Sequence, residues 1–333
     1  MSAGEQALRC RQGAGLFRLE GRGLVAVEGA DRVRWLNGML SNDVATLAAG
    51  RERSGCYALL LSRIGRILAD VHVLLREGSF WLETEQAAVA PLLATLGKYI
   101  IADDVRLTEI GAAWERLALE GPAAGAVFAI AAGEAPGLAP DAADAFAIAG
   151  APVLAGAWGV SGEEALQLFA PVGSGAAVAQ ALRQAGAGHG LVEAGEDVLE
   201  VLRVEAGTPR YGRELSEAVL PAEVGLVRAI STTKGCYTGQ EIVARMATRG
   251  GASHALVGLA LAGVFVPAPG ARVSEQAAPV GEVTSAALSA SAGAIALAFV
   301  RRAHAAPGAE LAVEGRAARV TPLPFVPPRS RPP

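Results

Sequence analysis

Apolar and polar residues alternate along much of the first third of the chain. The segment GLVAVEGADRVRWLNGMLSNDV predicts a strand, a short helix over about 30–40 and a turn at 41–43. Three strand-like runs follow, SGCYALLLS, RILADVHVLL and SFWLETE, and QAAVAPLLATLGKYI then has the apolar spacing of a helix. A further strand is predicted near 115–121. The pattern therefore indicates a mixed α+β unit.

The rest of the chain first repeats this pattern and then changes to short strands. SFWLETEQAAVAPLLATL and ALQLFAPVGSGAAVAQAL both combine a strand, a connection and an alanine-rich helix, which favours two similar halves. From residue 253 onward, short apolar runs between Gly, Pro and Ser predict a small β-barrel of about 75 residues. We predict domains at 1–114, 115–250 and 251–328, with part of 190–250 completing the first, and a disordered tail at 329–333.

Composition and charge narrow the class of protein. Of the 333 residues 52% are hydrophobic, and the net charge of −4 gives no electrostatic reason to expect a nucleic-acid partner. The start, MSAGEQALRCRQG, lacks the apolar core of a secretory signal, and no apolar run is long enough for a membrane span. Three distant cysteines do not suggest a disulfide framework. We expect a reduced, cytoplasmic protein without a membrane partner.

Several common catalytic and metal-binding motifs are absent. The chain has no GxxxxGK[ST] phosphate loop, no CxxC pair and no HExxH motif, and its four histidines show no metal-ligand spacing. No metal site is predicted.

The segment STTKGCYTGQEIVARM contains the most distinctive candidate site. Cys236 lies between two glycines, two residues after Lys234 and just before a predicted helix whose first turn holds Gln240 and Glu241. A helix N-terminus and a nearby lysine favour the thiolate, so the pKa of Cys236 is expected below its ordinary value of about 8.5. The alternative is a small buried residue in a capped turn. The residues alone leave both interpretations open.

Two other segments place ionisable residues among apolar ones. In AGEDVLEVLRVEAGTPRYGREL, Glu205 lies on an apolar helical stripe, where it needs either a hydrogen-bond donor or one of three nearby arginines (Arg203, Arg210, Arg213) as partner. In RILADVHVLL, strand alternation puts Asp70 and His72 on one face, which either lines a cavity or faces solvent.

These segments together resemble a known family. KGCYTGQEIVAR closely resembles the K-G-C-[FY]-x-G-Q-E signature of the YgfZ family of folate-binding proteins, which are relatives of the aminomethyltransferases and include an iron–sulfur assembly factor. GADRVRWLNGMLSNDV, LRVEAGTPRYGREL and the all-β tail resemble further segments of that family. The resemblance implies a GcvT-like α+β ring, in which two related ferredoxin-like units and a C-terminal barrel surround a central folate channel.

The resemblance also implies roles for individual residues. Glu205 would bind the pterin as a bidentate carboxylate, and Asn42, Asp70 and Tyr211 would line the same channel. One departure concerns the catalytic acid, because the aminomethyltransferases have two adjacent aspartates where this chain has Ala69 and Asp70. The acid that faces the reactive nitrogen of folate is therefore predicted to be missing if it corresponds to Ala69.

The function implied is binding of tetrahydrofolate or a one-carbon derivative in support of iron–sulfur enzyme assembly or repair. Cys236 would be the essential thiol, flanked by Lys234, Gln240 and Glu241, and the partners would be iron–sulfur client enzymes or assembly proteins. A single cysteine does not supply the four thiolates of a stable cluster. The alternatives are a folate-dependent aminomethyltransferase or demethylase acting on a small amine, and a non-catalytic scaffold.

Overall fold

A computed structural model describes residues 1–49, 54–249 and 252–329. Its helices are α1 (Ala3–Cys10), α2 (Arg32–Met39), α3 (Ala45–Ala48), α4 (Gln86–Gly97), α5 (Ala124–Ala132), α6 (Gly175–Gly186), α7 (Glu196–Ala206), α8 (Pro221–Val224) and α9 (Gln240–Arg249). Its strands are β1 (Ala14–Arg18), β2 (Arg22–Glu28), β3 (Gly55–Leu61), β4 (Ile67–Arg76), β5 (Ser79–Glu85), β6 (Arg106–Glu109), β7 (Trp114–Glu120), β8 (Ala143–Ile148), β9 (Ala151–Gly156), β10 (Ala165–Pro171), β11 (Leu191–Ala194), β12 (His254–Leu261), β13 (Arg272–Glu275), β14 (Ala278–Ser289), β15 (Gly293–Arg301), β16 (Glu310–Val313) and β17 (Arg316–Thr321).

The first sheet has five antiparallel strands in the order β3-β4-β5-β2-β6. One face is apolar and is covered by α4, so that Val71 and Val73 pack in the same core as Leu92 and Leu96. At the β3 side of the sheet, residues from 215–237 form a second core with Tyr57 and Leu59. This later segment therefore packs on the first sheet, although it lies more than 100 residues beyond it in the chain.

The second sheet has six strands in the order β11-β1-β7-β10-β9-β8, and α5 and α6 cover its apolar outer face. The strand β1 belongs to this sheet, where it pairs parallel with β11 and antiparallel with β7. The chain therefore forms one strand of the second sheet before it forms any strand of the first sheet. A simple boundary between 114 and 115 does not separate the two sheets, because β1 lies on the far side of it.

The C-terminal strands close into a six-stranded barrel in the order β12-β15-β14-β13-β16-β17. Its interior is filled by small and branched apolar residues, among them Leu259, Ala296 and Val313. The α+β architecture and the C-terminal barrel predicted from the sequence are confirmed. Within the described part of the chain, no helix is long and apolar enough to cross a bilayer. Of the tail predicted at 329–333, only Arg329 is described, and its backbone N–H donates to Glu163.

Candidate active site

The polar faces of the two sheets lie against each other and form a buried charged layer. Strand β4 contributes Asp70 and His72, and β5 contributes Glu83, which is completely buried. The second sheet contributes Arg116 and Glu120, which are also buried. The strand face that sequence alternation left either lining a cavity or solvated is therefore an interior face.

A cavity opens between this layer and one side of α7. Charged and aromatic side chains dominate its wall. They are Arg22, Tyr57, Asp70, His72, Glu85, Glu120, Trp158, Glu196, Glu200, Arg203, Arg210, Tyr211 and Arg228.

Asp70 is the carboxylate best placed for chemistry in this cavity. Its Oδ2 accepts a hydrogen bond from the Tyr57 hydroxyl at 2.8 Å, whereas its buried Oδ1 has no hydrogen-bond partner among the described residues. Burial raises the pKa of Asp70, and the opposing effects of Arg22 and Tyr57 do not cancel it. The side chain therefore combines an available oxygen with a raised proton affinity, both of which suit a group that exchanges a proton with a ligand.

The alanine that precedes Asp70 does not remove the acid from the cavity. Ala69 is fully buried in the apolar core under α4, on the opposite face of β4. Because successive residues of a strand point to opposite faces, an aspartate at position 69 would enter that core rather than the cavity. The sequence predicted that the catalytic acid would be missing if it corresponded to Ala69. This geometry corrects that expectation, because an acid at position 69 would not face the cavity.

In the buried charged layer, arginines and glutamates pair with each other and neutralise each other's charge. Arg22 donates to both carboxylate oxygens of Glu83, at 2.6 and 2.8 Å, and to Glu85 at 2.6 Å. Burial opposes the ionisation of Glu83, but Arg22 and Arg116 outweigh it and lower the pKa of Glu83 to about 2. Burial also lowers the pKa of Arg116 to about 10. The pairs keep Glu83 ionised, and Asp70 is the carboxylate with a buried, unsatisfied oxygen among the described residues.

Aromatic rings line the cavity beside Asp70. Trp158 stacks on His72 with ring centroids 4.4 Å apart and planes inclined by 15°. Gly156 makes room for this ring, because a Cβ atom at that position would lie 1.8 Å from Trp158. A flat ligand entering the cavity would therefore meet aromatic side chains beside the Asp70 carboxylate.

The residues predicted to bind folate are only partly brought together. Tyr211 and Asp70 both line the cavity. Asn42 instead lies behind its wall, where its side-chain amide donates to the backbone carbonyls of Tyr57, at 2.8 Å, and Arg228, at 3.1 Å.

Glu205 lies outside the cavity. It accepts hydrogen bonds from Arg11 Nε and Ser289 Oγ, both at 2.5 Å, and is almost fully buried. The helix explains this placement, since residues 198, 201, 202 and 205 face α1 and the barrel while 196, 199, 200 and 203 face the cavity. Glu205 was expected to bind a ligand in the cavity, and this expectation is corrected by the structure. Its partner Arg11 is also none of the three nearby arginines. The carboxylates of α7 that line the cavity are Glu196 and Glu200, and Glu200 accepts hydrogen bonds from Arg203 at 2.6 and 2.8 Å.

The KGCYTGQE loop forms a separate surface feature. Lys234 Nζ donates to the backbone carbonyls of Asn37, Leu40 and Asn42, and burial lowers its pKa to about 8. Cys236 and Glu241 are exposed, and Gln240 begins α9. None of the four predicted residues of this loop, Lys234, Cys236, Gln240 and Glu241, is among the residues that line the cavity.

Several cavity residues were not singled out in the sequence. The alternation in SFWLETE does place Trp81, Glu83 and Glu85 on one face, so a paired charged face was detectable there. Trp158, Glu120 and Arg228 come from other parts of the chain, and nothing local marks them. Among the described residues, no cluster of three or more His, Cys, Asp or Glu could hold a metal ion.

Comparison with known proteins defines the class. The GCVT N-terminal domain model matches residues 2–234, and the glycine cleavage T-protein C-terminal barrel model matches residues 254–327. The chain therefore belongs to the glycine cleavage T-protein family, the broader group to which the sequence resemblance pointed.

Individual relatives extend along most of the chain. An aminomethyltransferase of Streptomyces coelicolor is 33% identical over 312 residues, which cover 92% of this chain and 83% of that protein. An aminomethyltransferase of Geobacillus kaustophilus is 31% identical, with 96% and 88% covered. The crystal structure of the glycine cleavage system aminomethyltransferase T from Bartonella henselae superposes with a TM-score of 0.85 at 26% identity, covering 98% of this chain and 90% of that one.

Proposed function

We propose that this protein is a folate-dependent aminomethyltransferase that binds tetrahydrofolate in the cavity between the two sheets, with Asp70 as the acid–base group. The observation that carries the proposal is the buried Asp70 carboxylate, whose Oδ1 has no partner among the described residues and whose pKa is raised. The names of the relatives support the same activity. This reaction was the alternative interpretation of the sequence, and the comparisons favour it over iron–sulfur maintenance.

The cavity wall fits the chemistry of a reduced folate. The stacked rings of Trp158 and His72 suit a flat heterocycle, and Asp70 suits a ring nitrogen that carries a proton. Arg210 and Arg228, at 35% and 55% side-chain exposure, pair with Glu85 and Asp141 and have further N–H donors for the carboxylates of a glutamate tail. When bound, tetrahydrofolate supplies the nitrogen that accepts the one-carbon unit.

The protein's own residues have distinct tasks in this proposal. Tyr57 orients the Asp70 carboxylate through Oδ2, so that Oδ1 is directed at the ligand's nitrogen. Asp70 then holds or returns the proton of that nitrogen while the aminomethyl donor reacts. The surrounding buried layer excludes water, which strengthens this interaction relative to solvent.

The proposal is tested by assaying transfer of a one-carbon unit to tetrahydrofolate from a lipoyl-bound aminomethyl donor and from small N-methyl amines. Asp70→Asn is expected to lower kcat by about 10²–10⁴-fold, because a positioned acid or base contributes that much. Asp144→Asn makes the same change at an exposed position and should leave kcat unchanged. Equal kcat in wild type and Asp70→Asn, or no transfer from any donor by the wild type, would contradict the proposal.

A second function, support of iron–sulfur enzymes, rests on one observation. Cys236 is the exposed one of the three cysteines, and it lies in the loop that resembles the YgfZ signature, away from the cavity. The two functions are separable in a host that lacks its own homologue. If the second function holds, Cys236→Ala abolishes rescue of iron–sulfur enzyme activities and retains any transfer activity, whereas rescue by Cys236→Ala at the wild-type level would exclude it.

A further inference from the structure

His72 is held rigidly in the cavity wall by aromatic neighbours from both halves of the molecule. Its ring stacks on Trp158 and lies 4.8 Å from the ring of Tyr57, measured between centroids. Tyr57 comes from the first sheet and Trp158 from the loop after β9 of the second. The imidazole plane is therefore fixed, and the neighbours of the two ring nitrogens decide which nitrogen faces the cavity.

Asp141 lies next to one of these two nitrogens, Nδ1. Its Oδ1 lies 3.4 Å from His72 Nδ1, a nitrogen that has no formed hydrogen bond among the described residues. Arg228 Nη1 donates to both oxygens of Asp141 at 2.8 Å and holds the carboxylate in place. Burial opposes ionisation of Asp141, but His72 and Arg228 together lower its pKa. An ionised acceptor thus faces Nδ1 and favours the tautomer that carries the proton there.

Asp141 is the one described carboxylate within ion-pair distance of a His72 ring nitrogen, at 3.4 Å. Glu83 is opposite His72 in the strand register, but its carboxylate binds Arg22 and Arg116. Asp70 binds Tyr57 through Oδ2. Asp141 is consequently the carboxylate that faces Nδ1 of the imidazole, and the second ring nitrogen, Nε2, is left for the cavity that His72 lines.

We propose that His72 is a further ligand-contacting residue of this cavity, held by Asp141 with its proton on Nδ1, so that Nε2 accepts a hydrogen bond from an N–H group of a flat heterocyclic ligand. The inference rests on the proposed function and deepens it, because it assigns a second polar contact to the reduced pterin. Asp70 and His72 are roughly 6–7 Å apart along one face of β4, so a single bicyclic ring can contact both.

Three substitutions separate hydrogen bonding from ring packing. His72→Gln can place an amide oxygen near the position of Nε2, His72→Asn keeps a polar atom only near Nδ1, and His72→Phe keeps a stacking ring without either nitrogen. Calorimetric titration with tetrahydrofolate is expected to show a roughly 3- to 10-fold loss of affinity in the Phe and Asn variants, and recovery to near the wild-type value in the Gln variant. Unchanged affinity in all three would overturn the proposal.

The tautomer provides a readout that does not depend on turnover. With four histidines in the chain, the ¹⁵N signals of His72 can be assigned by comparison with His72→Gln. We expect the Nδ1–H tautomer in the free protein and its loss in Asp141→Gly, a change compatible with the φ of 62° at that position. Asp144→Asn, which changes an exposed carboxylate away from His72, is the control and should retain the tautomer. An Nε2–H tautomer in the wild type would overturn the inference.

The outcomes distinguish this inference from the proposed function. If the wild type binds tetrahydrofolate without catalysing transfer, and His72→Phe weakens that binding, the contact is supported and the transferase activity is not. If the wild type catalyses transfer and all three variants bind normally, the activity stands and the contact fails. If the wild type does not bind tetrahydrofolate, both are overturned.

Discussion

Whether reagents reach a cysteine's sulfur largely decides its chemistry, and the three cysteines of this chain differ in that respect. Cys10 and Cys56 are buried, and Cys236 is exposed. Burial, reinforced by the nearby Glu120 carboxylate, raises the pKa of Cys10 to about 12. A buried thiol of that kind presents almost no thiolate at neutral pH, and thiolate is the form that reacts.

We therefore predict that Cys236 is alkylated first in the native protein. Iodoacetamide at neutral pH, followed by peptide mass analysis over time, should label Cys236 well before the other two cysteines. In Cys236→Ser the remaining thiols should react only when the protein unfolds. Faster labelling of Cys10 or Cys56 in the native state would contradict the described burial.

Single residues also show how far the sequence could predict the site. Asp70 was predicted because strand alternation and a family resemblance both place it, and each depends on local sequence. The partner of Glu205 was not predictable in that way, since Arg11 lies 194 residues away. Neighbours of that kind are determined by the packing of α1 against α7, which no local pattern encodes.

At the scale of elements, the sequence predicted strands β2 to β5, strand β7 and the barrel correctly because alternation and turn residues are local signals, whereas it predicted no strand for β1, β6 or β8. It did not predict which sheet each strand joins. Strand β1 pairs with β11, a partner more than 170 residues further along the chain. A boundary drawn from the order of elements therefore places β1 with the wrong sheet.

The junction of α1, α7 and β14 depends on a buried ionic cluster. Arg11 donates to Glu205, at 2.5 Å, and to Glu163, at 2.9 Å, and Ser289 also donates to Glu205. Removing one member of a buried pair leaves an uncompensated charge. We predict that Glu205→Ala lowers the free energy of unfolding by about 3–5 kcal/mol in urea denaturation, while tetrahydrofolate affinity, measured on the folded protein, stays near the wild-type value.

The matched control is on the same helix. Glu200→Ala removes a carboxylate that lines the cavity and is 30% exposed, so it should weaken tetrahydrofolate binding more than Glu205→Ala and cost less stability. The reverse pattern, with a stable Glu205→Ala that binds folate poorly, would restore the pterin-binding role expected from the sequence.

For the whole molecule, the charged layer between the two sheets is both the candidate site and a determinant of stability. Its carboxylates fall into two groups. Glu83 is paired with Arg22 and Arg116, and its pKa is lowered to about 2. Burial raises the pKa of Asp70 and also that of Glu120, although backbone N–H groups of Val160 and Ser161 donate to Glu120. The molecule thus ionises one of these groups readily and resists ionising the others.

These opposite shifts predict opposite pH dependences for two neighbouring substitutions. Glu83 contributes stability above its ordinary pKa of 4.5, and that contribution is lost as pH falls toward about 2. Glu83→Gln should therefore destabilise the protein at pH 7, by about 3 kcal/mol, and progressively less as the pH falls below 4.5. For Asp70 the folded pKa lies above the ordinary 3.8, so the wild type loses stability as pH rises through the interval between the two values.

Asp70→Asn should consequently be more stable than the wild type at pH 7, although it lacks the proposed acid. The gain should shrink on acidification and vanish below about pH 4, where Asp70 is protonated in both the folded and the unfolded state. Urea denaturation of the wild type, Asp70→Asn and Glu83→Gln at several pH values between 4 and 8 measures all three curves. A destabilised Asp70→Asn at pH 7 would mean that attraction to Arg22 outweighs the cost of burying the charge. In that event Asp70 would form a structural ion pair with Arg22. Its carboxylate would then stay ionised at pH 7 and would have no raised proton affinity with which to hold a proton for a ligand.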